Sequence, residues 1–144
     1  DENKTVAFVG AKPEVVESAV KMLRTDIQNL NVVYFHDGYF KDANIIMYSL
    51  YQAKPDLVLV ALGSPKQEFF IAEMKTRLPN STFIGLGGSF DVWAGHVERA
   101  PEIYQNLGLE WLYRTIKEPK RFKRIFPTLP LFILSVLKER LFRR

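Results

Sequence analysis

The stretch Asp56-Leu57-Val58-Leu59-Val60-Ala61-Leu62 decides the fold class of this chain, because it is continuously apolar after its first residue. A strand with one solvated face alternates apolar and polar residues, whereas a parallel strand covered by helices on both faces is apolar throughout. Gly63-Ser64-Pro65 follows directly and is typical of a turn into a helix. The stretch therefore predicts a buried strand of a parallel α/β sheet.

The segments around this strand alternate between strand and helix patterns. Apolar runs predict further strands at residues 5–9, 32–35 and 82–86, and spacings of three and four predict helices at 13–27, 43–53 and 65–77. This alternation predicts a Rossmann-like α/β fold, a parallel sheet with flanking helices, over residues 1–100. Residues 101–144 show no strand pattern. Helices predicted at 101–107, 108–117, 119–125 and 128–143 form a C-terminal helical appendage there.

The composition limits the class of protein. A chain of 144 residues with 47% hydrophobic content suffices for one buried core. Cysteine is absent, which excludes disulfides and thiolate metal sites. The polar start, Asp1-Glu2-Asn3-Lys4, has no signal-peptide pattern. Because it lacks Met and leads into a strand within five residues, we expect an excised or incomplete chain.

Positive charge is concentrated at the C-terminal end. Ten of the twenty lysine and arginine residues lie between residues 114 and 144, together with two glutamates. The same segment is rich in apolar and aromatic residues. A segment that is both cationic and apolar indicates a phosphate-rich ligand, a membrane surface, or both.

The last predicted helix resembles an interfacial membrane anchor. Its apolar run of residues 129–137 is about 14 Å long at 1.5 Å per residue, which is less than half of a bilayer core. Cationic side chains follow and would contact anionic lipid. The predicted membrane-binding residues are Phe132, Leu137, Lys138, Arg140, Arg143 and Arg144. The alternative is a helix that packs on its own body or on another subunit.

Two loops follow predicted strands, at the edge where α/β sheets bind ligands. In the first, Gly63 to Glu68, Ser64 can act as an N-cap, Pro65 as the first helical residue and Gln67 as the partner in a capping box. Alternatively, Ser64 and the amides at the helix start bind a phosphate or a sugar hydroxyl, and Gln67 presents its amide to the ligand.

The second loop is Gly85 to Gly95. Gly87 and Gly88 permit close approach of the backbone to a ligand, or a tight turn alone. Asp91 can bind a ribose or sugar hydroxyl, or cap local amides. Neither loop matches a standard dinucleotide or P-loop motif. His36 and His96 are isolated, so no metal or other cofactor is expected, and no general base is evident in the sequence.

The appendage carries pairs of cations at helical spacing. Arg114 and Lys117 are three residues apart, as are Arg121 and Arg124, so each pair shares a helix face. Guanidinium groups suit bidentate phosphate binding. The alternative is a solvated basic face that contacts lipid headgroups nonspecifically.

Several motifs together resemble the WecG/TagA/CpsF family of bacterial glycosyltransferases. They are Gly63-Ser64-Pro65-Lys66-Gln67-Glu68, Gly87-Gly88-Ser89-Phe90-Asp91, Gly95-His96-Val97-Glu98-Arg99-Ala100-Pro101, Gly108-Leu109-Glu110-Trp111-Leu112-Tyr113-Arg114 and Glu118-Pro119-Lys120-Arg121. The TagA branch is most similar. The resemblance implies inverting, metal-independent transfer of N-acetylmannosamine from its UDP donor to undecaprenyl-diphosphate-linked N-acetylglucosamine, in teichoic acid or related polysaccharide synthesis.

The resemblance also implies roles for residues and partners. Gln67 corresponds to a polar residue of the active-site pocket, and Gly87 and Gly88 would lie near the UDP. Arg114, Arg121 and Arg124 would close over the site and engage diphosphates. The family's proposed catalytic Asp and an accompanying Thr lie in an N-terminal half with no counterpart here, so the resemblance implies that the chain is the C-terminal part of a larger catalytic domain. The implied location is the cytoplasmic face of the bacterial plasma membrane, as a peripheral protein.

A binding module from another class is the main alternative. It is a noncatalytic α/β module docked to anionic membrane through its C-terminal tail. A homo-oligomer is also possible. No nucleic-acid partner is expected, because the basic and aromatic residues share one apolar helical tail and match no recognised nucleic-acid motif.

Overall fold

A computed structural model describes residues 3–98, 100–117 and 128–142 of the chain. Its contacts divide into two compact units, Asp1–Glu98 and Arg99–Arg144. The first unit contains β1 (Thr5–Gly10), α1 (Pro13–Asp26), β2 (Asn31–His36), α2 (Ala43–Ala53), β3 (Leu57–Ala61), α3 (Lys66–Arg77), β4 (Thr82–Gly85) and α4 (Ser89–Trp93). The second contains α5 (Glu102–Asn106), α6 (Glu110–Lys117) and α7 (Thr128–Phe142).

The four strands form one parallel sheet in the order β2-β1-β3-β4. Helices cover both of its faces. Ile46, Leu50 and Met74, from α2 and α3, pack on one face together with Val58 and Val60 of β3. Side chains of α1 and α4 pack on the other face with Leu59 and Ala61. The α/β prediction is confirmed, and β3 is buried on both sides as its apolar run indicated.

Helix α4 was not predicted, because residues 85–95 have the glycine content of a loop. Phe90 and Trp93 are three residues apart and share a face of this one-turn helix. The Phe90 ring is fully buried, with its centroid 5.6 Å from that of Phe8 and 5.7 Å from that of Trp93. Packing of these aromatic rings against the sheet therefore stabilises a helix too short to show periodicity.

Asp56 joins the start of β3 to the start of β1. Its carboxylate accepts hydrogen bonds from the Thr5 amide and hydroxyl, both at 2.8 Å, while its own amide donates to the Thr5 hydroxyl at 2.9 Å. Lys4 Nζ also lies 3.3 Å from the carboxylate. These contacts, the Thr5 amide first, lower the pKa of Asp56 from 3.8 to about 2.

This arrangement predicts a contribution to acid stability. Because the folded-state pKa is depressed, the stabilisation is present above about pH 4 and is lost as the pH falls toward about 2. We expect Asp56→Asn to unfold at lower urea concentration at neutral pH, and to lose less further stability between about pH 5 and pH 2 than the wild type does. Thr5→Val, which removes the partner hydroxyl, should reduce in part the stability that is lost between about pH 5 and pH 2. If Asp56→Asn loses as much stability over this range as the wild type does, the assignment to Asp56 is contradicted.

In the second unit, α5 and α6 pack through Tyr104 and Tyr113, whose ring centroids are 5.2 Å apart. Gln105 Nε2 donates to the carbonyl of Ala100 at 2.5 Å. In α7, every described side chain from 130 to 140 is exposed. No helix within the described residues is long and apolar enough to cross a membrane. The helix predicted at 119–125 lies outside the described residues, and the membrane-interfacial role of the appendage stays a prediction.

Candidate functional site

The strand order creates a crevice at one edge of the sheet. In the order β2-β1-β3-β4, strands β1 and β3 are neighbours. The strand that follows β1 in the sequence, β2, lies on one side of this pair, and the strand that follows β3, β4, lies on the other side. The carboxyl ends of β1 and β3 therefore flank a topological switch point, where α/β sheets bind ligands. A cavity of about 620 Å³ lies there. It is lined by Ala11, Lys12, Gly38, Tyr39, Phe40, Ala61, Leu62, Lys66 and Asp91.

The backbone at this edge is held in a tight arrangement. Gly10 has φ +134°, and a Cβ added to it would lie 2.7 Å from the Cα of Ala61. The Ala11 amide donates to the Ala61 carbonyl at 2.9 Å, and the Gly38 amide donates to the Ala11 carbonyl at 2.8 Å. These bonds fix the ends of β1 and β3 and the loop after β2 around the cavity.

Among the described residues, three charged side chains line the cavity. Lys12 precedes α1, Lys66 is the first residue of α3, and Asp91 lies in α4. Lys66 Nζ donates to the carbonyl of Gly38 at 3.2 Å and lies 4.6 Å from the centroid of the Phe40 ring. Among the described residues, no side chain forms a hydrogen bond or an ion pair with the carboxylate of Asp91.

Gln67 lies at the carboxyl end of β4. A Cβ added to Gly85 would lie 2.9 Å from Nε2 of Gln67, so the amide packs directly on the backbone there. Nε2 donates to Oε1 of Glu68 at 3.0 Å. Oε1 of Gln67 is buried and has no hydrogen-bond partner in the described part of the chain. A buried, unpaired acceptor is costly unless a ligand or an ordered water molecule satisfies it.

The predicted capping box is wrong. Helix α3 begins at Lys66, and Pro65 occupies the N-cap position without a side-chain hydrogen bond to the helix. Gln67 is therefore the second helical residue, one position too early to reach back to the cap. Its backbone amide donates to the Gly63 carbonyl at 2.9 Å, which leaves the side chain to turn toward β4.

The remaining predicted residues of the first unit are not among the residues that line the cavity. Ser64 is exposed in the turn after β3. Gly87 has φ +53°, with open space where a Cβ would point, and Gly88 occupies the N-cap position of α4. Asp91 is the predicted binding residue that the structure places in the cavity lining. Within the described residues, no group of three or more His, Asp or Glu side chains could hold a metal ion.

Lys12, Phe40 and Lys66 were not predicted as site residues. Lys12 and Phe40 follow β1 and β2, and this position is the signal that indicates them, because ligands bind at the carboxyl ends of all strands of such a sheet. Lys66 lies in the loop after β3 that the sequence already indicates, where Ser64 and Gln67 are the predicted binding residues.

The second unit contains the other predicted residues. Lys117 Nζ lies 5.1 Å from the centroid of the Tyr113 ring. Phe132, Leu137, Lys138 and Arg140 are exposed on α7. The side chain of Arg114, and Arg121, Arg124, Arg143 and Arg144 as a whole, lie outside the described part of the structure.

Comparison with known proteins gives a consistent result. Residues 1–144 match the model of the Glycosyl transferase WecG/TagA/CpsF family. An N-acetylglucosaminyldiphosphoundecaprenol N-acetyl-beta-D-mannosaminyltransferase of Bacillus subtilis is 41% identical over 136 residues, 94% of this chain and 53% of the relative. One of the same name from Bacillus spizizenii is 38% identical over 136 residues, 94% of this chain and 52% of the relative. The chain spans about half the length of these curated relatives. It belongs to the WecG/TagA/CpsF family of glycosyl transferases, as its motifs indicated.

Proposed function

We propose that this chain forms the donor-binding part of a glycosyltransferase that moves N-acetylmannosamine from UDP to lipid-diphosphate-linked N-acetylglucosamine. The observation that carries the proposal is the 620 Å³ cavity at the switch point of the sheet. Its volume lies within the range of small-ligand sites. Its position is the one in which α/β sheets bind nucleotides. The names of the two Bacillus relatives supply the sugar and the acceptor.

The side chains at the cavity suit a nucleotide sugar. The carboxylate of Asp91 can accept hydrogen bonds from two neighbouring hydroxyl groups of a ribose or a hexose. The unpaired Oε1 of Gln67 can accept one from a substrate amide or hydroxyl in the adjoining turn. We propose that Ser64, Gly87 and Gly88 also bind the substrate, because they occupy the turns that precede Gln67 and Asp91 in the sequence.

The reaction needs a base and a stabilised leaving group. A carboxylate deprotonates the acceptor's 4-hydroxyl, which attacks the anomeric carbon while the bond from that carbon to UDP breaks. By family resemblance, this carboxylate belongs to the half of the enzyme with no counterpart in the chain. Cations stabilise the negative charge on the departing UDP. Arg114, Lys117, Arg121 and Arg124 are the candidates in the second unit.

A hybrid enzyme tests the transfer activity. This chain replaces the matched 136-residue region of the Bacillus subtilis relative, and UDP release is measured with UDP-N-acetylmannosamine and a short-chain lipid-diphosphate N-acetylglucosamine acceptor. We expect UDP release that requires both substrates. A folded hybrid that binds the acceptor but releases no UDP would overturn the proposed transfer function.

We also propose that α7 attaches the protein to the cytoplasmic face of the membrane. The exposed apolar side chains Leu131, Phe132, Leu134, Val136 and Leu137 precede Lys138 and Arg140, so apolar and cationic residues separate along the helix axis. A helix of 15 residues is about 22 Å long, enough for its apolar part to enter the acyl region while the cations stay at the headgroups.

This attachment predicts a dependence on anionic lipid. Lys138→Gln combined with Arg140→Gln should weaken binding to phosphatidylglycerol-containing vesicles about 30-fold, at about 1 kcal/mol per cation. Co-sedimentation with vesicles measures the effect. Lys21→Gln with Lys41→Gln changes the net charge equally at exposed positions of the first unit, and it should leave binding nearly unchanged. Equal losses in the two double variants would contradict a specific role for α7.

A further inference from the structure

Two lysines approach the switch-point cavity from opposite faces of the sheet. Lys12 precedes α1, which packs on one face, and Lys66 begins α3, which packs on the other. Both line the same cavity. A small ligand between the carboxyl ends of β1 and β3 would therefore lie between two ammonium groups, each supplied by the start of a different helix.

Within the part of the chain that the structure describes, no carboxylate pairs with these two lysines. The described contacts of Lys66 are to the Gly38 carbonyl and the face of the Phe40 ring, both of which are uncharged. Asp91 is the acidic residue among the described lining, against two cations. The cavity therefore favours an anion over a cation at its lysine side.

A phosphate group can take the place of the neutral partners of Lys66 and form a stronger hydrogen bond with its ammonium group. A hydrogen bond from an ammonium to a charged phosphate oxygen is stronger than one to a neutral carbonyl. The N-terminus of α1, a helix of 14 residues, adds a favourable dipole at the same edge. Two ammonium groups and one helix terminus can contact both phosphates of a diphosphate.

We propose that Lys12 and Lys66 form a diphosphate clamp in this cavity. The inference rests on the proposed function, and it deepens that function by assigning the donor's diphosphate to the α/β unit. The diphosphate could also come from a polyprenyl diphosphate. If the ligand is the nucleotide sugar, Asp91 binds hydroxyl groups of its ribose or hexose and the two lysines bind its phosphates. Lys66 leaves the Gly38 carbonyl when the ligand binds.

The test uses the 144-residue chain and measures dissociation constants for UDP, uridine, inorganic pyrophosphate and farnesyl diphosphate by calorimetry or NMR titration. We expect Lys66→Gln and Lys12→Gln each to weaken UDP binding about 10-fold or more, with the affinity for uridine unchanged. Lys66→Arg should remain within about threefold of wild type, because it retains the charge. Lys41→Gln, an exposed lysine outside the cavity lining, is the matched control and should change little.

The outcomes separate the clamp from the proposed function. If wild-type chain binds UDP and neither glutamine variant weakens it, the clamp is wrong while the donor site stands. The clamp is also wrong if the glutamine variants lose affinity for UDP and for uridine to the same extent, because the lysines then contribute to binding of the nucleoside and not of the phosphates. If farnesyl diphosphate binds through the lysines and UDP does not, the clamp holds and the donor assignment fails. If no diphosphate binds, both fail.

Discussion

Gly10→Ala is expected to destabilise the chain by about 4 kcal/mol, which lies in the exceptional range for a single substitution. Gly10 has φ +134°, a conformation that L side chains rarely adopt, and the added Cβ would lie 2.7 Å from Ala61 Cα. The obstructing atoms belong to the backbone of β3, so no rotamer change can relieve the contact. The bonds that hold Ala11 to Ala61 and Gly38 to Ala11 would separate. Urea unfolding followed by circular dichroism measures the effect.

Gly63→Ala provides the matched control. Gly63 also has a positive φ, +75°, but nothing lies within 4 Å of an added Cβ. The alanine there carries only the strain of a left-handed backbone, about 1–2 kcal/mol. Equal destabilisation by the two substitutions would show that backbone strain alone explains the effect of Gly10→Ala. The close approach of β1 to β3 would then make no contribution to it.

Gln67→Ala is expected to reduce UDP release by the hybrid enzyme about 10- to 100-fold, the usual effect of losing a hydrogen bond to a polar or charged substrate group. The reason is the buried, unpaired Oε1 of Gln67, the residue that follows Lys66 of the cavity lining. The fold should not suffer, because Gln67 fills no part of the apolar core and its Nε2 bonds only to a neighbouring exposed side chain. Steady-state kinetics and thermal unfolding of the same preparation measure the two effects.

Two comparisons sharpen this expectation. Gln52→Ala removes an exposed glutamine from α2 and should leave turnover unchanged. Gly85→Ala should lower turnover without removing Gln67, because the new methyl group would lie 2.9 Å from Nε2 and 3.1 Å from Cδ and would displace the amide. If Gly85→Ala and Gln67→Ala both retain normal turnover, the assignment of Gln67 to the site is contradicted.

Much of the fold was readable from the sequence, because burial on two faces leaves a direct pattern. The apolar run of β3 and the periodic apolar residues of α1 correspond to the observed core. Helix α4 was not readable, since five residues are too few for periodicity and its stability comes from Phe90 packing on Phe8. The family assignment followed from motifs rather than from physical pattern.

The candidate site was less predictable than the fold. Asp91 was identified, but its neighbours in the cavity, Lys12 and Lys66, come from other parts of the chain. Their proximity depends on the strand order β2-β1-β3-β4, which the local sequence does not encode. Of the two interpretations of Gln67, the capping box is wrong. The side chain of Gln67 packs on Gly85 instead of capping α3, a difference of one residue in where the helix begins.

UDP is proposed to bind at the switch point between β1 and β3. The most direct measurement is a titration of the isotopically labelled 144-residue chain with UDP, followed by NMR. We expect saturable shifts concentrated at Gly38, Leu62, Lys66 and Asp91, which line the cavity. The proposed binding site is wrong if UDP causes no saturable shift, or if the shifts concentrate at the separate surface cavity around Tyr51 and Asn80.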